Sequence, residues 1–286
     1  MNVRESDGAP SSYERPRRTS PGSHPLKGFP CSALRRCIGT DLVAKAQPDG
    51  YTLLLTATPL VISVGLYKNL PYDPIRDFAP VMQIGSAPNV MVVHPALPAK
   101  SVQELIALAK AQPDKIDFAS SGNGSAQHLF GALFTSLAGI RMTHIPYKGS
   151  GPAIADLLGG QVKVGFPGIA IALPHQKAGR LRVIGVTSAQ RSPQMPEVPS
   201  IAEAGVPGYD GTLWLGFAAP RATPAAVIGK LHTEITKVLQ LPEVRNAFQS
   251  AGTDVVSSTP EAFGALVQTE LAKWGRIVKE IGLQVN

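Results

Sequence analysis

The order of apolar segments is the feature that most constrains the fold of this chain. From Asp41 onward, short apolar runs of strand length alternate with segments whose apolar residues recur at helical spacing. The runs are YTLLLT at 51–56, VMQIG at 81–85, NVMVVH at 89–94, KIDFAS at 115–120, QVKVGF at 161–166, LRVIGVT at 181–187 and LWLGFAA at 213–219. This alternation predicts an α/β protein whose sheets are rich in parallel strands and flanked by helices.

Length and charge exclude some classes of protein. The chain has 286 residues, which suits two domains. No apolar run approaches the roughly 18 residues of a membrane-spanning helix, so we expect no integral membrane protein. The net charge of +7 would suggest a nucleic-acid partner. However, seven Lys and Arg residues against three Asp and Glu lie in the first forty residues, so the remaining body is only mildly basic.

The start of the chain differs in composition from the rest. Residues 1–38 are rich in Ser, Pro and Gly and show no apolar period, which predicts a disordered tail. No apolar core of about 7–15 residues follows the basic residues, so no secretory signal peptide is visible. Cys31 and Cys37 both lie here, at a spacing that fits no common metal site. We expect no nucleic-acid partner, although a tail-driven nucleic-acid binder stays open as an alternative.

Several helices carry start signals. Ser101 with Glu104 forms a capping box, and Thr259 places a capping hydroxyl before a proline at the first helical position. Thr223 before Pro224 predicts a third start of the same kind. The last helix shows one apolar stripe from Phe263 to Ile281, which indicates a core-facing surface.

The segment IDFASSGNGSAQHLFGALFTSLAG at 116–139 is the most informative for function. A strand ends at Ser120, a turn covers 121–124, and Ser125 caps a helix that stops before Gly139. Such a turn directs backbone N–H groups and the positive end of a helix dipole into one crevice, which suits an anion, most naturally a carboxylate. An ordinary strand-to-helix turn is the alternative. The glycine spacing matches neither a dinucleotide fingerprint nor a phosphate loop.

A second candidate is HIPYKGSGPAIADLLGG at 144–160. There Ser150 opens a short helix after a strand, and Lys148 adds a positive charge that could face the same crevice. A capped helix with a solvated Lys148 explains the same residues equally well.

Catalytic patterns are weak in this sequence. Ser121, Ser125 and His128 lie close together, but no Gly-x-Ser-x-Gly elbow is present and no acid partner is evident. The six histidines show no pair at the spacing of helical zinc ligands. We therefore expect no enzyme, no cofactor and no metal site. A hydrolase or acyl transferase that uses Ser125 and His128 remains the alternative.

Six ordered blocks carry a resemblance to a known family. They are IGTDLVAKAQPDGYTLLL at 38–55, LYKNLPYDPIRDFAPV at 66–81, SSGNGSAQHL at 120–129, HIPYKGSGPAIADLLGGQV at 144–162, ALPHQKAGRLRVIGVTSAQRSPQMPEVPSIAEAGVPGY at 172–209 and STPEAFGALVQTELAKWGRIVKEIG at 258–282. In these blocks the chain resembles the Bug (TctC-like) family of periplasmic solute-binding proteins, the receptors of tripartite tricarboxylate transporters.

The resemblance implies a fold and a function. The fold would be a two-domain clamp of the periplasmic-binding-protein type, with type II topology. The first domain would combine 39–116 with 220–286, and the second would span 117–219. The protein would be a periplasmic monomer that captures a small carboxylate in the interdomain cleft for the membrane permease subunits of a tripartite tricarboxylate transporter.

The resemblance also implies a set of ligand-binding residues. From the second domain it implies Ser121, Gly124, Ser125 and His128. Other expected members of the cleft are Thr56, Thr58, Tyr147, Lys148, Gly149 and Pro167. Family members often have Asp after the strand VKVGF, where this chain has Pro167. Proline lacks a backbone donor, and the loss of the Asp argues against an amino-acid ligand.

The beginning of the chain departs from the family pattern. Family members carry a signal peptide, a first strand, a Gly-rich loop and a first helix before the IGTDLVAKA block, where this chain has an unrelated tail. We therefore expect the first strand-loop-helix unit to be missing, through a wrong reading start, a frameshift or decay of the gene. Its absence would impair carboxylate binding.

Overall fold

The computed structural model describes residues 31–67 and 69–283, except for the side chains of 31–37. The helices are α1 Cys31–Ala44, α2 Pro59–Leu66, α3 Val102–Ala111, α4 Ala126–Ala138, α5 Ser150–Leu158, α6 Ile169–Lys177, α7 Ala225–Leu239, α8 Pro242–Ser250 and α9 Pro260–Glu280. The strands are β1 Leu54–Ala57, β2 Phe78–Ala87, β3 Val90–Val93, β4 Asp117–Ser120, β5 Thr143–Pro146, β6 Val164–Gly165, β7 Arg182–Val186, β8 Leu213–Pro220 and β9 Asp254–Val255. The chain is an α/β protein, as the alternating pattern predicts.

The strands form two sheets. The first has the order β1-β8-β2-β9, and the second has the order β5-β4-β6-β3-β7. The chain crosses from the first sheet to the second between β2 and β3, and returns between β7 and β8. Two crossings of this kind place a cleft between the two sheets and their helices.

The strand directions correct the expectation of sheets rich in parallel strands. In the first sheet, β8 lies between β1 and β2 and is antiparallel to both, and β9 is antiparallel to β2. In the second sheet, β4 is parallel to β5 and β6, whereas β3 is antiparallel to β6 and β7. The reason is that β2 leads out of the first sheet and β8 leads back, so they run in opposite directions. Apolar periodicity reports burial and does not report direction.

The sheet assignment also moves the predicted domain boundaries. The prediction places 39–116 in the first domain, but β3 pairs within the second sheet. It places 117–219 in the second domain, but β8 belongs to the first sheet. The first crossing therefore falls at Pro88–Asn89 and the second just before Leu213. Only two residues separate β2 from β3, so the chain passes from one sheet to the other within a very short connection.

The capping predictions are confirmed at two of three helices. Ser101 Oγ accepts from the backbone N–H of Glu104 at 3.1 Å, and Thr259 Oγ1 accepts from that of Ala262 at 3.2 Å. The Glu104 carboxylate accepts from the backbone N–H of Lys100, one residue before Ser101, so the second bond of the predicted capping box is displaced by one residue. The Thr223 prediction is wrong, because α7 begins at Ala225 with Pro224 as its N-cap residue. The buried Thr223 hydroxyl has no hydrogen-bond partner among the described residues.

The predicted tail is only partly described by the structure. Residues 1–30 lie outside the described residues, and so does the stretch on which the expectation of a missing strand and loop falls. For residues 31–38 the expectation of disorder is wrong, since α1 begins at Cys31 and runs into the GTDLVA segment. Ala, Leu and Arg in this stretch are good helix formers, which explains the continuous helix.

Helix α9 joins the cores of the two sheets, and its predicted apolar stripe is confirmed as buried. Phe263 contacts the Trp214 ring of β8 edge-on at 5.4 Å between centroids, and Trp274 lies 6.0 Å from the Phe130 ring of α4. The main hydrophobic cluster therefore runs from the first sheet through α9 to α4. Among the described residues, no helix has the length and apolar character needed to span a membrane.

Candidate functional site

The turn between β4 and α4 has the local structure predicted from its sequence. Ser125 has the extended backbone of an N-cap residue, and its Oγ accepts from the backbone N–H of His128 at 3.3 Å. Gly139 ends α4 in the left-handed conformation, with φ of 60°. Both capping predictions for this helix are confirmed. The cap fixes the first turn of α4 at the end of β4.

Two glycines shape the turn and bring it against both parts of the molecule. Gly122 and Gly124 have φ of 129° and 71°, in the region that favours glycine. A Cβ on Gly122 would lie 3.2 Å from Tyr147 O, in the loop before α5. A Cβ on Gly124 would lie 3.0 Å from Leu66 Cδ1, at the end of α2. A side chain at either position would therefore be strained.

The turn uses most of its own amides internally, which differs from the expectation of free N–H groups. Ser121 donates to Gln127 Oε1 at 3.0 Å, Gly122 to Ser120 Oγ at 3.1 Å, and Gly124 to His128 Nδ1 at 3.2 Å. The Ser121 hydroxyl also donates to Gln127 Oε1. The internal bonds make the turn rigid and leave its anion-binding capacity to the helix that follows.

The first turn of α4 supplies the remaining donors. No protein acceptor among the described residues takes the backbone N–H groups of Ala126 and Gln127. At a helix N-terminus such donors add to the positive end of the helix dipole, which favours an anion. The candidate anion site is therefore the first turn of α4, which the glycine turn supports.

This helix start opens into a cavity of about 400 Å³ that both parts of the molecule line. On the second-sheet side its lining includes Ser121, Gly124, Ser125 and Ala126. On the other side the lining is mostly apolar and comes from the β1–α2 segment, the end of β2 and the start of β8: Ala57, Pro59, Ile62, Ser63, Leu66, Tyr67, Ala87 and Leu213–Leu215. Three predicted site residues, Ser121, Gly124 and Ser125, thus lie together in the cleft.

Two other predicted residues, Thr56 and Thr58, lie outside the lining of this cavity. Thr58 is fully buried, and its Oγ1 accepts from the backbone N–H of Trp214 at 3.0 Å. Thr56 lines two other cavities, of about 120 and 430 Å³, beside β1. In this structure Thr58 holds β8 against the start of α2.

The loop at 147–149 supports the turn from the other side. The amide of Tyr147 donates to Ser120 O at 3.0 Å, and that of Gly149 donates to Ser121 O at 3.2 Å. The Tyr147 hydroxyl donates to Asp156 Oδ2 at 2.8 Å. Burial and this hydrogen bond raise the pKa of Tyr147 to about 12. Lys148 is exposed, and the loop contributes no residue to the lining of the cleft cavity.

Pro167 lies behind the turn rather than in the cleft. It is buried, its carbonyl accepts from the backbone N–H of Val90 at 2.9 Å, and it lines a cavity of about 20 Å³. Ser120, Gln127 and Ser150 line the same small cavity. Pro167 therefore connects to β3 behind the turn and has no contact with the cleft cavity.

His128 is buried with its ring against a second histidine. The ring centroids of His128 and His144 lie 3.7 Å apart with 4° between the planes. Burial lowers the pKa of His128 to about 4. Burial and the proximity of His128 lower the pKa of His144 to about 4 as well. Both rings are therefore neutral near pH 7, and His128 lies behind the cleft surface.

Comparison with known proteins identifies the group to which the chain is related. The family described as tripartite tricarboxylate transporter family receptor, TctC, matches residues 32–283. The chain belongs to this receptor family. BugT of Bordetella pertussis is 38% identical over 251 residues, which are 87% of this chain and 77% of BugT. A protein from the tcbD-tcbE intergenic region of Pseudomonas sp. strain P51 is also 38% identical, over 87% of this chain and 74% of that protein.

Solved structures agree with the receptor family. R. palustris Rpa4515 with adipate is 33% identical, with a TM-score of 0.70 over 86% of this chain and 83% of that one. MatC from Rhodopseudomonas palustris with bound malate is 30% identical, with a TM-score of 0.67 over 85% of this chain and 84% of MatC. These likenesses confirm the two-domain α/β clamp and the role of a solute-binding receptor. The family match begins at residue 32, inside α1.

Sequence reasoning missed two residues that take part in the structure of the turn in this member of the TctC family. Gln127 accepts both donors of Ser121, and His144 stacks on His128. The position of His144 could have been predicted from the register of β4 and β5, because their parallel pairing sets His144 beside Phe118. Reading that register requires knowing which strands are neighbours. Gln127 gave no signal beyond its helical position.

The alternative of a hydrolase receives no support from the geometry. Ser125 Oγ accepts from the backbone N–H of His128, while the Nδ1 of that ring accepts from Gly124. The serine hydroxyl and the imidazole therefore take part in separate hydrogen bonds. Among the described residues, no cluster of three or more His, Cys, Asp or Glu side chains could hold a metal ion.

Proposed function

We propose that this protein is a periplasmic receptor that binds a small carboxylate at the first turn of α4. The observation that carries the proposal is the N-terminus of α4, capped by Ser125, which opens into a cavity lined from both sheets. The backbone donors of Ala126 and Gln127 and the helix dipole would stabilise the carboxylate. The Ser125 hydroxyl can donate to the same group while its oxygen caps the helix.

The cavity also favours a hydrocarbon body on the ligand. Ile62 and Leu66 of α2 and Leu213 of β8 line it opposite the helix start. Apolar walls of this kind bind methylene or aromatic groups through the hydrophobic effect. Adipate, the ligand of Rpa4515, has such a body, whereas malate, the ligand of MatC, is shorter and more polar. We expect acids of the first kind to bind more tightly.

The further parts of the proposal concern the partners of the protein and are supported by its membership of the receptor family. The protein would act as a monomer and deliver its ligand to the membrane permease subunits of a tripartite tricarboxylate transporter. Closure of the cleft would follow from the higher affinity of the ligand for the state in which both sides contact it. In this role the protein performs no chemistry on its ligand.

A thermal shift panel tests the proposal. The full chain is heated with adipate, malate, hexanoate and benzoate, and with hexane-1,6-diol as the uncharged counterpart of adipate. An acid present at 100 times its Kd should stabilise the protein by about 2.7 kcal/mol, which is several degrees in Tm. The diol should have no effect. If all four acids leave Tm unchanged at millimolar concentration, the carboxylate assignment is contradicted.

A further inference from the structure

A buried histidine, His128, and a half-buried histidine, His144, form a stack directly behind the proposed carboxylate site. His128 lies in the first turn of α4 and His144 lies in β5, with ring centroids 3.7 Å apart. The Phe118 ring of β4 lies 5.0 Å from the His144 ring and 6.4 Å from the His128 ring. The three rings therefore pack as one group between β4, β5 and α4.

Each histidine makes one hydrogen bond toward the turn. His128 Nδ1 accepts from the backbone N–H of Gly124 at 3.2 Å. His144 Nε2 lies 2.6 Å from Ser120 Oγ. Ser120 Oγ in turn lies 3.1 Å from both the amide and the carbonyl oxygen of Gly122. His128 is thus bonded directly to Gly124, and His144 is linked to Gly122 through Ser120.

The hydrogen bond to Gly124 requires an unprotonated Nδ1 on His128. A proton on that nitrogen would face the Gly124 N–H, so two donors would oppose each other. The positive charge would also lie against the neighbouring ring of His144, at stacking distance. Since His128 is only 7% exposed, water could not readily solvate that charge.

Few other ionisable groups face the pair. Helix α4 and strand β5 carry no titratable side chain besides the two histidines. On β4, Asp117 Oδ1 accepts from the backbone N–H of Lys163 at 2.9 Å. On α9, Glu280 Oε2 accepts from Ser136 Oγ at 2.7 Å, two turns along α4 from His128. In the loop at 147–149, Lys148 is exposed. None of the described groups offers the pair a counter-charge through a hydrogen bond.

We propose that His144 is a positioning residue for the carboxylate site, which it holds in shape through its stack on His128 and its bond to Ser120 while both rings are neutral. The proposal rests on the proposed function, because the turn that it holds supports the first turn of α4. The role of His144 adds a pH dependence of ligand binding to the proposed function. Acid that protonates the rings releases the turn and weakens ligand binding.

The direct test follows the turn in the ligand-free protein by NMR, with amide protection factors and ring titration. His144→Phe keeps an aromatic ring in the stack but removes the nitrogen that meets Ser120. His144→Gln removes the ring but keeps a polar group that can reach Ser120. The reference is the Glu104 amide, which donates to Ser101 in the cap of α3, outside the cleft.

We expect the protection factor of the Gly122 amide to fall at least about tenfold in His144→Phe and to recover partly in His144→Gln, with the Glu104 amide unchanged. In the unmodified protein, the Gly124 amide should lose protection with the same pH midpoint as the two histidine rings. Unchanged protection of Gly122 in His144→Phe would overturn the proposal. So would ring midpoints near pH 6.5, or a Gly124 amide that does not follow the rings.

A second arm separates this proposal from the proposed function. Adipate affinity is measured between pH 6.5 and 4 for the unmodified protein and for His128→Asn, which places a non-titrating acceptor near the position of Nδ1. Adipate itself titrates in this pH range, but its protonation affects both proteins equally. The ratio of their Kd values therefore reports only the pH dependence that comes from the protein. We expect this ratio to shift at least twofold toward weaker binding by the unmodified protein at pH 4, and a constant ratio would contradict the acid release. If adipate binds neither protein, the proposed ligand is wrong, and the ligand-free NMR still decides the role of His144.

Discussion

At the scale of single residues, Ser125 combines two functions in one hydroxyl. Its oxygen accepts from the backbone N–H of His128 and so caps α4, and its proton is available to a ligand in the cleft. A substitution would therefore change both stability and binding. The two effects can be separated, because the chain offers a second serine cap whose hydroxyl accepts from the backbone N–H three residues later. Ser101 caps α3 and takes no part in the cleft lining.

Ser125→Ala should weaken binding of the carboxylate about tenfold, since a hydrogen bond to a charged group contributes about 1.5 kcal/mol. It should also lower the free energy of unfolding by about 1 kcal/mol, through loss of the cap. Ser101→Ala should show the same loss of stability with unchanged affinity. Calorimetric titration and urea unfolding of both variants check this. If the two variants bind the carboxylate with equal affinity, Ser125 does not contact the ligand.

The histidine pair predicts a pH dependence of stability. The pKa of each ring is lowered from 6.5 to about 4 in the folded protein, so the unfolded chain binds more protons between these values. The contribution of the two histidines to the free energy of unfolding should therefore be nearly constant above pH 6.5 and should fall as the pH drops toward 4. We expect Tm to decrease by at least about 5 °C between pH 7 and pH 5.

Differential scanning calorimetry measures this loss, and His144→Phe serves as the comparison because one titrating ring is removed. The pH-dependent part of the Tm change should be clearly smaller in the variant. A variant whose Tm follows the same curve as the unmodified protein would show that the pair is not its source.

At the scale of elements, the position of the site depends on close packing of α4 against β4. Gly131 of α4 permits this approach, since a Cβ there would lie 2.2 Å from Cε2 of Phe118. The same Phe118 ring packs against both histidines. A larger residue at 131 would therefore displace α4, the ring group and the turn together.

Gly131→Ala should lower the free energy of unfolding by about 1–3 kcal/mol, because Phe118 must leave its position. Gly275→Ala in α9 is the matched control. A Cβ there meets nothing within 4 Å, so the better helix propensity of alanine should raise stability by about 0.5–1 kcal/mol. Urea unfolding of the two variants gives both values. If they change stability in the same direction, the close contact of α4 with β4 is not as described.

Elements also show where sequence reasoning works. Caps at Ser101, Ser125 and Thr259 could be predicted because their hydrogen bonds join residues three apart in sequence. Strand direction could not be predicted, since β8 meets β1 and β2 from more than 120 residues away. Thr223 failed for a local reason, because the helix begins one residue later than its capping position requires.

At the scale of the whole molecule, both crossings between the sheets meet at one buried residue. Thr187 accepts from the Asn89 amide at 2.8 Å through Oγ1, and its carbonyl oxygen accepts from the Gly211 amide at 2.7 Å. Asn89 belongs to the first crossing and Gly211 to the second. The hydrogen bonds to Thr187 therefore fix both connecting segments to the second sheet. If the cleft closes, we expect the backbone to bend between this attachment and the first sheet.

The site shows the same division between local and distant information. The family resemblance implied Ser121, Gly124, Ser125 and His128, which lie within one short segment. The first three line the cleft cavity, and His128 does not. The apolar wall from Ile62 and Leu213 was not predicted, since it depends on how the two halves of the clamp face each other.

The central claim is that a carboxylate binds to the first turn of α4, and amide NMR during titration with the acid that gives the largest thermal shift tests it most directly. The account predicts that the resonances of Ala126 and Gln127 move with occupancy, while those of Val102 and Gln103 in the first turn of α3 stay in place. If the acid saturates the protein and the Ala126 and Gln127 resonances do not move, the carboxylate binds elsewhere and the account is contradicted.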